Sequence, residues 1–95
     1  MSITANENQW LVAGDILMDN ANTILSSSNA LAMPQNLQIN LDSVTEVDTA
    51  AISLMLEWRR RAVAQNTRIS FTHVPEALAS LAVLYGVAEF IPLSA

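Results

Sequence analysis

Alternating apolar and polar residues predict the strands of this chain. Residues 10–18 (WLVAGDILM) predict two short strands joined by a tight hairpin turn at Gly14 and Asp15. Residues 37–41 (LQINL) place alternate apolar side chains on one face, as in a strand with one buried side. Residues 68–73 (RISFTH) repeat that alternation later in the chain.

Apolar residues at spacings of three and four predict helices between and after these strands. Residues 23–32 (TILSSSNALA) predict a short helix before Pro34, and the segment from residue 48 or 49 to about 65 predicts the clearest helix. A last helix is expected to start at Pro75 and to end at Gly86. Residues 88–93 (AEFIPL) predict a short edge strand.

The resulting order, β-β-α-β-α-β-α, predicts an α/β (α+β sandwich) fold with helices packed on a small mixed sheet. The 95 residues are expected to form a single domain, 1–95, with its core between about residues 10 and 93.

Charge and composition exclude several classes of function. The net charge is −5, no lysine is present, and three of the four basic residues are consecutive arginines, which disfavours binding to nucleic acid or to anionic lipid. No apolar run approaches the ~20 residues that a membrane-spanning helix needs. The N-terminal MSITANENQ lacks a basic start and an apolar stretch, so we expect a cytoplasmic protein without membrane insertion.

No motif in the sequence supports catalysis or cofactor binding. Two glycines cannot build a glycine-rich phosphate loop, and the absence of cysteine excludes thiolate chemistry. His73 is the only histidine and is interpreted as a surface residue rather than a base. Asp42, Glu46 and Asp48 share an acidic loop without the spacing of a calcium site. We therefore expect a non-enzymatic protein with no metal and no cofactor.

The clearest helix carries apolar residues on two faces. Projected at 100° per residue, one stripe is the expected core face, formed by Ile52, Met55, Leu56 and Val63. The other, bordered by Arg61, is formed by Ala51, Leu54, Trp58 and Ala62. Two interpretations remain open: a neighbouring helix covers the second stripe, or Leu54 and Trp58 form a protein-binding patch with Arg61. Full burial of Trp58 would favour the first.

Asp48 and Thr49 open the same helix. Asp48 before an apolar helix is typical of an N-cap, whose carboxylate accepts hydrogen bonds from free backbone N–H groups. A phosphate on the Thr49 hydroxyl would meet the positive helix end but also the negative charges of Asp48 and Glu46. Thr49 is therefore a candidate switch as well as a neighbour of the cap.

The stretch INLDSVTEVDTAAISLML, residues 39–56, resembles the signature of STAS domains, in which a strand and a loop precede Asp-Ser/Thr-x-Gly-Leu. LASLAVLYGV, residues 78–87, is similar to the last helix of that family. Within the family, the chain most resembles the small STAS subunit of Mla-type phospholipid transporters. The sequence departs from the signature where Ala50 and Ala51 replace the motif glycine and where Asn40 replaces the strand-end aspartate.

The resemblance implies a function and roles for particular residues. It implies an adaptor that binds and stabilises the cytoplasmic ATPase of an ABC transporter that maintains outer-membrane lipid asymmetry. Thr49 would be the contact hydroxyl, Asp48 the motif acid, and Ala50, Leu54, Trp58 and Arg61 partner-binding residues. The alternative is an anti-sigma-factor antagonist phosphorylated on Thr49 by a partner kinase. Exposed Leu54 and Trp58 would also allow a homodimer when the partner is missing.

Overall fold

A computed structural model describes residues 2–90 of the chain. The elements are β1 (Ser2–Asn6), β2 (Gln9–Ile16), α1 (Ala21–Asn29), β3 (Asn36–Val47), α2 (Thr49–Ala64), β4 (Arg68–Thr72) and α3 (Glu76–Leu84), followed by a 3-10 turn at Ala88–Phe90. The predicted order β-β-α-β-α-β-α and the α/β fold are confirmed. Within residues 2–90, no helix has the length and apolar character that crossing a bilayer requires.

The four strands form one mixed sheet in the order β1-β2-β3-β4. β1 and β2 are antiparallel, whereas β2, β3 and β4 run parallel to one another. The carboxyl ends of these three strands therefore meet at one end of the sheet, together with the loops that lead into α1, α2 and α3. This end is called the carboxyl pole below.

Alternation along the strands gives the sheet one apolar and one largely polar face. Trp10, Ile39 and Phe71 occupy paired positions on neighbouring strands and are all buried. Buried residues from all three helices complete a single core with them. The opposite face carries mainly polar side chains, among them Gln38 and Ser70, which also pair across strands.

Three aromatic side chains form the centre of the core. The Trp58 ring meets Trp10 edge-on at a centroid distance of 5.9 Å and stacks on Phe71 at 6.3 Å. These spacings lie within the favourable range for aromatic pairs. Trp58 therefore joins α2 to strands β2 and β4.

The predicted hairpin at Gly14 and Asp15 is wrong. β2 is one continuous strand through Gly14, and the hairpin turn lies earlier, at Glu7 and Asn8 between β1 and β2. Gly14 has φ of 91°, and the pairing of β2 with β3 changes register on either side of it. The glycine marks an irregularity inside a strand, where a positive φ is also needed, rather than a reversal of the chain.

The interpretation of residues 42–47 as an acidic loop is also wrong, because β3 continues to Val47. Its second half pairs with the second half of β2, with Ser43 opposite Ala13 and Val47 opposite Ile16. The acidic residues of this segment had suggested a loop, but Val44, Thr45 and Val47 favour a strand, and sheet pairing orders the whole segment as one. The edge strand expected at residues 88–93 is not found at Ala88–Phe90, which form a 3-10 turn, and its remainder lies outside the described residues.

Candidate functional site

The start of α2 is built around the carboxylate of Asp48. This residue has extended backbone angles and is the N-cap of the helix, with its Oδ1 accepting a hydrogen bond from the Ala50 N–H at 2.8 Å. Its Oδ2 accepts a second hydrogen bond, of 2.9 Å, from the Met18 N–H in the loop after β2. One carboxylate therefore ties the first turn of α2 to the β2–α1 loop.

Thr49 is the first residue of α2 and is exposed. Its hydroxyl makes no hydrogen bond within the described part of the chain, since the capping is done by Asp48. Ala50 beside it is half-buried, and Ser53, one turn further on, is exposed. The hydroxyl of Thr49 thus lies free at a helix N-terminus, where it is accessible to a partner or a modifying enzyme.

The burial of the two apolar faces of α2 differs in part from the burial expected from the sequence. Trp58 is 1% exposed and Leu54 is 3% exposed, so they do not form a surface patch. A homodimer formed through exposed Leu54 and Trp58 is therefore not supported. Val63, assigned to the core stripe, is 61% exposed, and Leu56 is only half-buried. Ile52 and Met55 are buried as expected. Trp58 is buried, as the first interpretation requires, and it is covered by the sheet residues Trp10 and Phe71 together with the neighbouring helix.

That neighbouring helix is α1, and polar contacts fix it in place. The Trp58 indole N–H donates to the Ser28 hydroxyl oxygen at 2.9 Å, and this hydroxyl donates in turn to the Leu25 carbonyl at 2.7 Å. Ser28 is fully buried, so the pair satisfies two polar groups that burial would otherwise penalise.

Arg61 completes the junction between α1 and α2. Its guanidinium donates to the Ser28 carbonyl at 2.9 Å and to the Leu31 carbonyl at 2.6 Å, and its central carbon lies 5.8 Å from the centroid of the Trp10 ring. The side chain is half-buried and directed at the carboxyl end of α1, where the helix dipole favours a cation. Arg61 therefore belongs to the internal packing of the domain.

Sequence reasoning missed Met18. This methionine is 74% exposed, and its backbone is held next to Thr49 by the hydrogen bond to Asp48. The surrounding turn is rigid, since the Leu17 N–H donates to Asn20 Oδ1 at 2.8 Å. The only available signal was an apolar residue directly before the Asp19-Asn20 helix start, and nothing local connects it with residue 48.

No second kind of site stands out in the described residues. Between residues 2 and 90, no group of histidine, cysteine and acidic side chains is arranged to hold a metal ion. A cleft of about 670 Å³ lies at the other end of the sheet, between the β1–β2 turn and the starts of β3 and β4. On the outer face of α2, a 2.8 Å ion pair with Arg60 lowers the pKa of Glu57.

Comparison with solved structures identifies the fold. The anti-sigma factor antagonist SpoIIAA in its unphosphorylated form gives a TM-score of 0.73 at 12% identity, covering 99% of this chain and 87% of that one. An anti-sigma factor antagonist from Mycobacterium paratuberculosis gives 0.74 at 19% identity, with 97% and 81% covered. A sulfate transporter family protein from Wolinella succinogenes gives 0.71 at 13% identity, with 88% and 70% covered. At these identities the similarity concerns the fold alone.

Sequence comparison identifies the family. No curated protein sequence gives a significant match. The family described as "Mlab, STAS domain" matches residues 2–93, which is nearly the whole chain. This agrees with the signature at residues 39–56 and with the β-β-α-β-α-β-α order. The chain therefore belongs to the STAS-domain family, in its Mlab branch.

Proposed function

We propose that this chain is a non-enzymatic subunit that binds and stabilises the cytoplasmic ATPase of an ABC-type phospholipid transporter, which maintains outer-membrane lipid asymmetry. The match to the Mlab branch over residues 2–93 carries the proposal. The subunit would be cytoplasmic and held at the inner membrane through its partner. Its contact surface is the start of α2, centred on Thr49, with Ala50 and Ser53 around it.

The local geometry supports a contact at Thr49. The hydroxyl is exposed and makes no hydrogen bond within the described residues, so a donor or acceptor of the partner can pair with it without breaking an existing hydrogen bond. The backbone beneath it is held by both oxygens of Asp48, which limits the ordering entropy that binding costs. Trp58 and Arg61 act indirectly, because their hydrogen bonds hold α1 and α2 together behind this surface, and Leu54 is part of the same core.

The test uses the purified ATPase of the transporter and titration calorimetry. Thr49→Glu is expected to weaken binding at least about tenfold, since a carboxylate at the contact has to be desolvated beside Asp48. Ser26→Glu is the matched control, because Ser26 is an exposed serine in the second half of α1, away from the carboxyl pole. Circular dichroism of each variant verifies folding. Equal affinity of Thr49→Glu and wild type would contradict the role of Thr49, and no binding by wild type would contradict the function.

A second candidate function is an anti-sigma-factor antagonist whose Thr49 is phosphorylated by a kinase. Two structurally similar proteins are named as such antagonists, and the Thr49 hydroxyl is accessible at a helix N-terminus. Against it, Asp48 already occupies the Ala50 N–H, and a phosphate with about two negative charges would lie beside that carboxylate. Mass spectrometry of the protein from its native cells distinguishes the two: phosphorylated Thr49 recovered with a kinase favours this function.

A further inference from the structure

We infer that the partner surface around the Thr49 contact, where it meets the carboxyl pole, is basic and contains an apolar recess that receives Met18. This rests on the proposed contact at the start of α2 and adds the chemistry of the surface that meets it. Two observations carry the inference: an exposed methionine on a turn that is held by hydrogen bonds, and a set of uncompensated carboxylates at the same end of the sheet.

The backbone that carries Met18 is already held in place, so binding there orders mainly the side chain. Its own N–H is bound by Asp48, and the Leu17 N–H is bound by Asn20, so the turn that carries it has few backbone freedoms left. The Asn20 side chain also donates to Asp15, at the end of β2. An apolar side chain with 74% of its surface exposed on such a rigid turn is a ready anchor for an apolar recess.

The formal side-chain charges at the carboxyl pole, where Met18 also lies, are all negative. Asp19 follows it directly, Glu46 precedes Asp48 by two residues, and Glu76 opens α3. Glu46 lines a depression of about 320 Å³ together with Pro75 and Ala77, which brings the end of β3 to the start of α3. All three carboxylates are exposed and make no hydrogen bond or ion pair within residues 2–90.

The arginines lie too far away to compensate these carboxylates. Arg59, Arg60 and Arg61 are in the second half of α2, which is 16 residues or about 24 Å long. Arg68 opens β4, at the end of the sheet opposite to the carboxyl pole. Arg60 is paired with Glu57, and Arg61 is bound to the carbonyls of α1. The protein therefore has a negative carboxyl pole and a more positive opposite end.

Stabilisation of the helices explains only part of this arrangement. Asp48 caps α2, and Glu76 is in the first turn of α3, where the helix dipole favours a negative charge. Asp19 precedes the N-cap of α1 and Glu46 lies in β3, so neither is in the first turn of a helix. Their charge remains available to an external cation.

The sign of the charge selects the partner. Nucleic acid and anionic lipid would be repelled by the carboxyl pole, and a second copy of this chain would bring two negative surfaces together. A protein surface with arginine or lysine around an apolar recess satisfies both the carboxylates and Met18. Charge complementarity of this kind mainly accelerates association, whereas burial of the methionine mainly slows dissociation.

The test compares two triple variants with the same net charge, measured against the purified ATPase by surface plasmon resonance over a range of salt concentrations. The pole variant is Asp19→Asn/Glu46→Gln/Glu76→Gln, and the control is Glu7→Gln/Asp42→Asn/Glu89→Gln, which neutralises exposed acids elsewhere. We expect the pole variant alone to associate about tenfold more slowly at low salt and to lose most of the salt dependence. Equal effects of the two variants, or none, would overturn the inference.

Met18 is tested separately. Met18→Ala is expected to raise the dissociation constant about tenfold or more, mainly through faster dissociation. Leu84→Ala is the control, since Leu84 on α3 is 76% exposed. If the wild-type protein does not bind the ATPase, the proposed function fails, and a photo-cross-linker placed at Met18 in native cells decides the inference. A cross-link to a basic surface would support the inference, whereas a cross-link to an acidic surface, or no cross-link, would overturn it.

Discussion

The indole nitrogen of Trp58 donates a 2.9 Å hydrogen bond to the hydroxyl of Ser28, across the junction of α2 and α1. Both residues are buried, and they are 30 positions apart in the chain. Apolar packing places this face of α2 inward, and the bond removes a penalty: once Ser28 satisfies the indole N–H, burying the Trp58 ring leaves no unpaired polar group on it. The helix face that the sequence alone could also assign to a binding patch is therefore part of the core.

Ser28→Ala should lower the free energy of unfolding by about 1–3 kcal/mol, because the Trp58 N–H would remain buried without an acceptor. Ser27→Ala is the matched control; Ser27 is exposed, so its change should stay within about 0.5 kcal/mol. Urea unfolding followed by tryptophan fluorescence measures both. Two indistinguishable variants would mean that the hydrogen bond contributes nothing to stability.

Asp48→Ala should destabilise the domain by about 1–2 kcal/mol, since it removes an N-cap together with a second acceptor. Asp48→Asn should be intermediate, because an amide retains only one acceptor oxygen. Amide hydrogen exchange gives a sharper test: in Asp48→Ala the N–H groups of both Met18 and Ala50 should exchange faster. Acceleration at Ala50 alone would show that the carboxylate does not hold the β2–α1 loop.

Arg61→Lys should cost about 1 kcal/mol or more, although the charge is retained. The guanidinium of Arg61 donates to two carbonyls at once, and a lysine ammonium lacks that planar fork. Arg60→Lys is the control on the exposed side of α2, where an ion pair contributes little. Urea unfolding of the two variants should separate them, and equal losses would argue against Arg61 as the link to α1.

The ion pair of Glu57 and Arg60 should give a small, pH-dependent contribution to stability. The hydrogen bond and charge of Arg60 lower the pKa of Glu57 in the folded protein. Stabilisation is therefore present above the unfolded pKa of Glu57 and is lost as the pH falls through the folded pKa.

Glu57→Gln should consequently differ from wild type near pH 7 at low salt, and the difference should vanish in acid and shrink in 1 M salt. Arg60→Gln should remove the same pH-dependent difference, because it breaks the same pair. Urea midpoints between pH 2 and 7 measure it. A difference that persists in acid would have to come from another source, such as helix propensity.

Much of the fold follows from local patterns. The strand at residues 37–41, the helix that starts after Asp48 and the last helix after Pro75 were predicted because alternation, capping and proline geometry act within a few residues. The hairpin at Gly14 was not, since a glycine with positive φ suits both a turn and an irregular strand position. Pairing with β3 decided between them.

The features of the candidate site can also be separated into those set locally and those set by tertiary structure. The sequence by itself determined that Asp48 caps α2 and that Thr49 is the first residue after the cap, because both depend on contacts within one helical turn. It left two apolar faces on α2, and only the packing of α2 against the sheet and α1 decided that Trp58 faces inward. The position of Met18 beside Thr49 also came from tertiary structure, because the hydrogen bond that sets it spans 30 residues and the local sequence carries no signal of it.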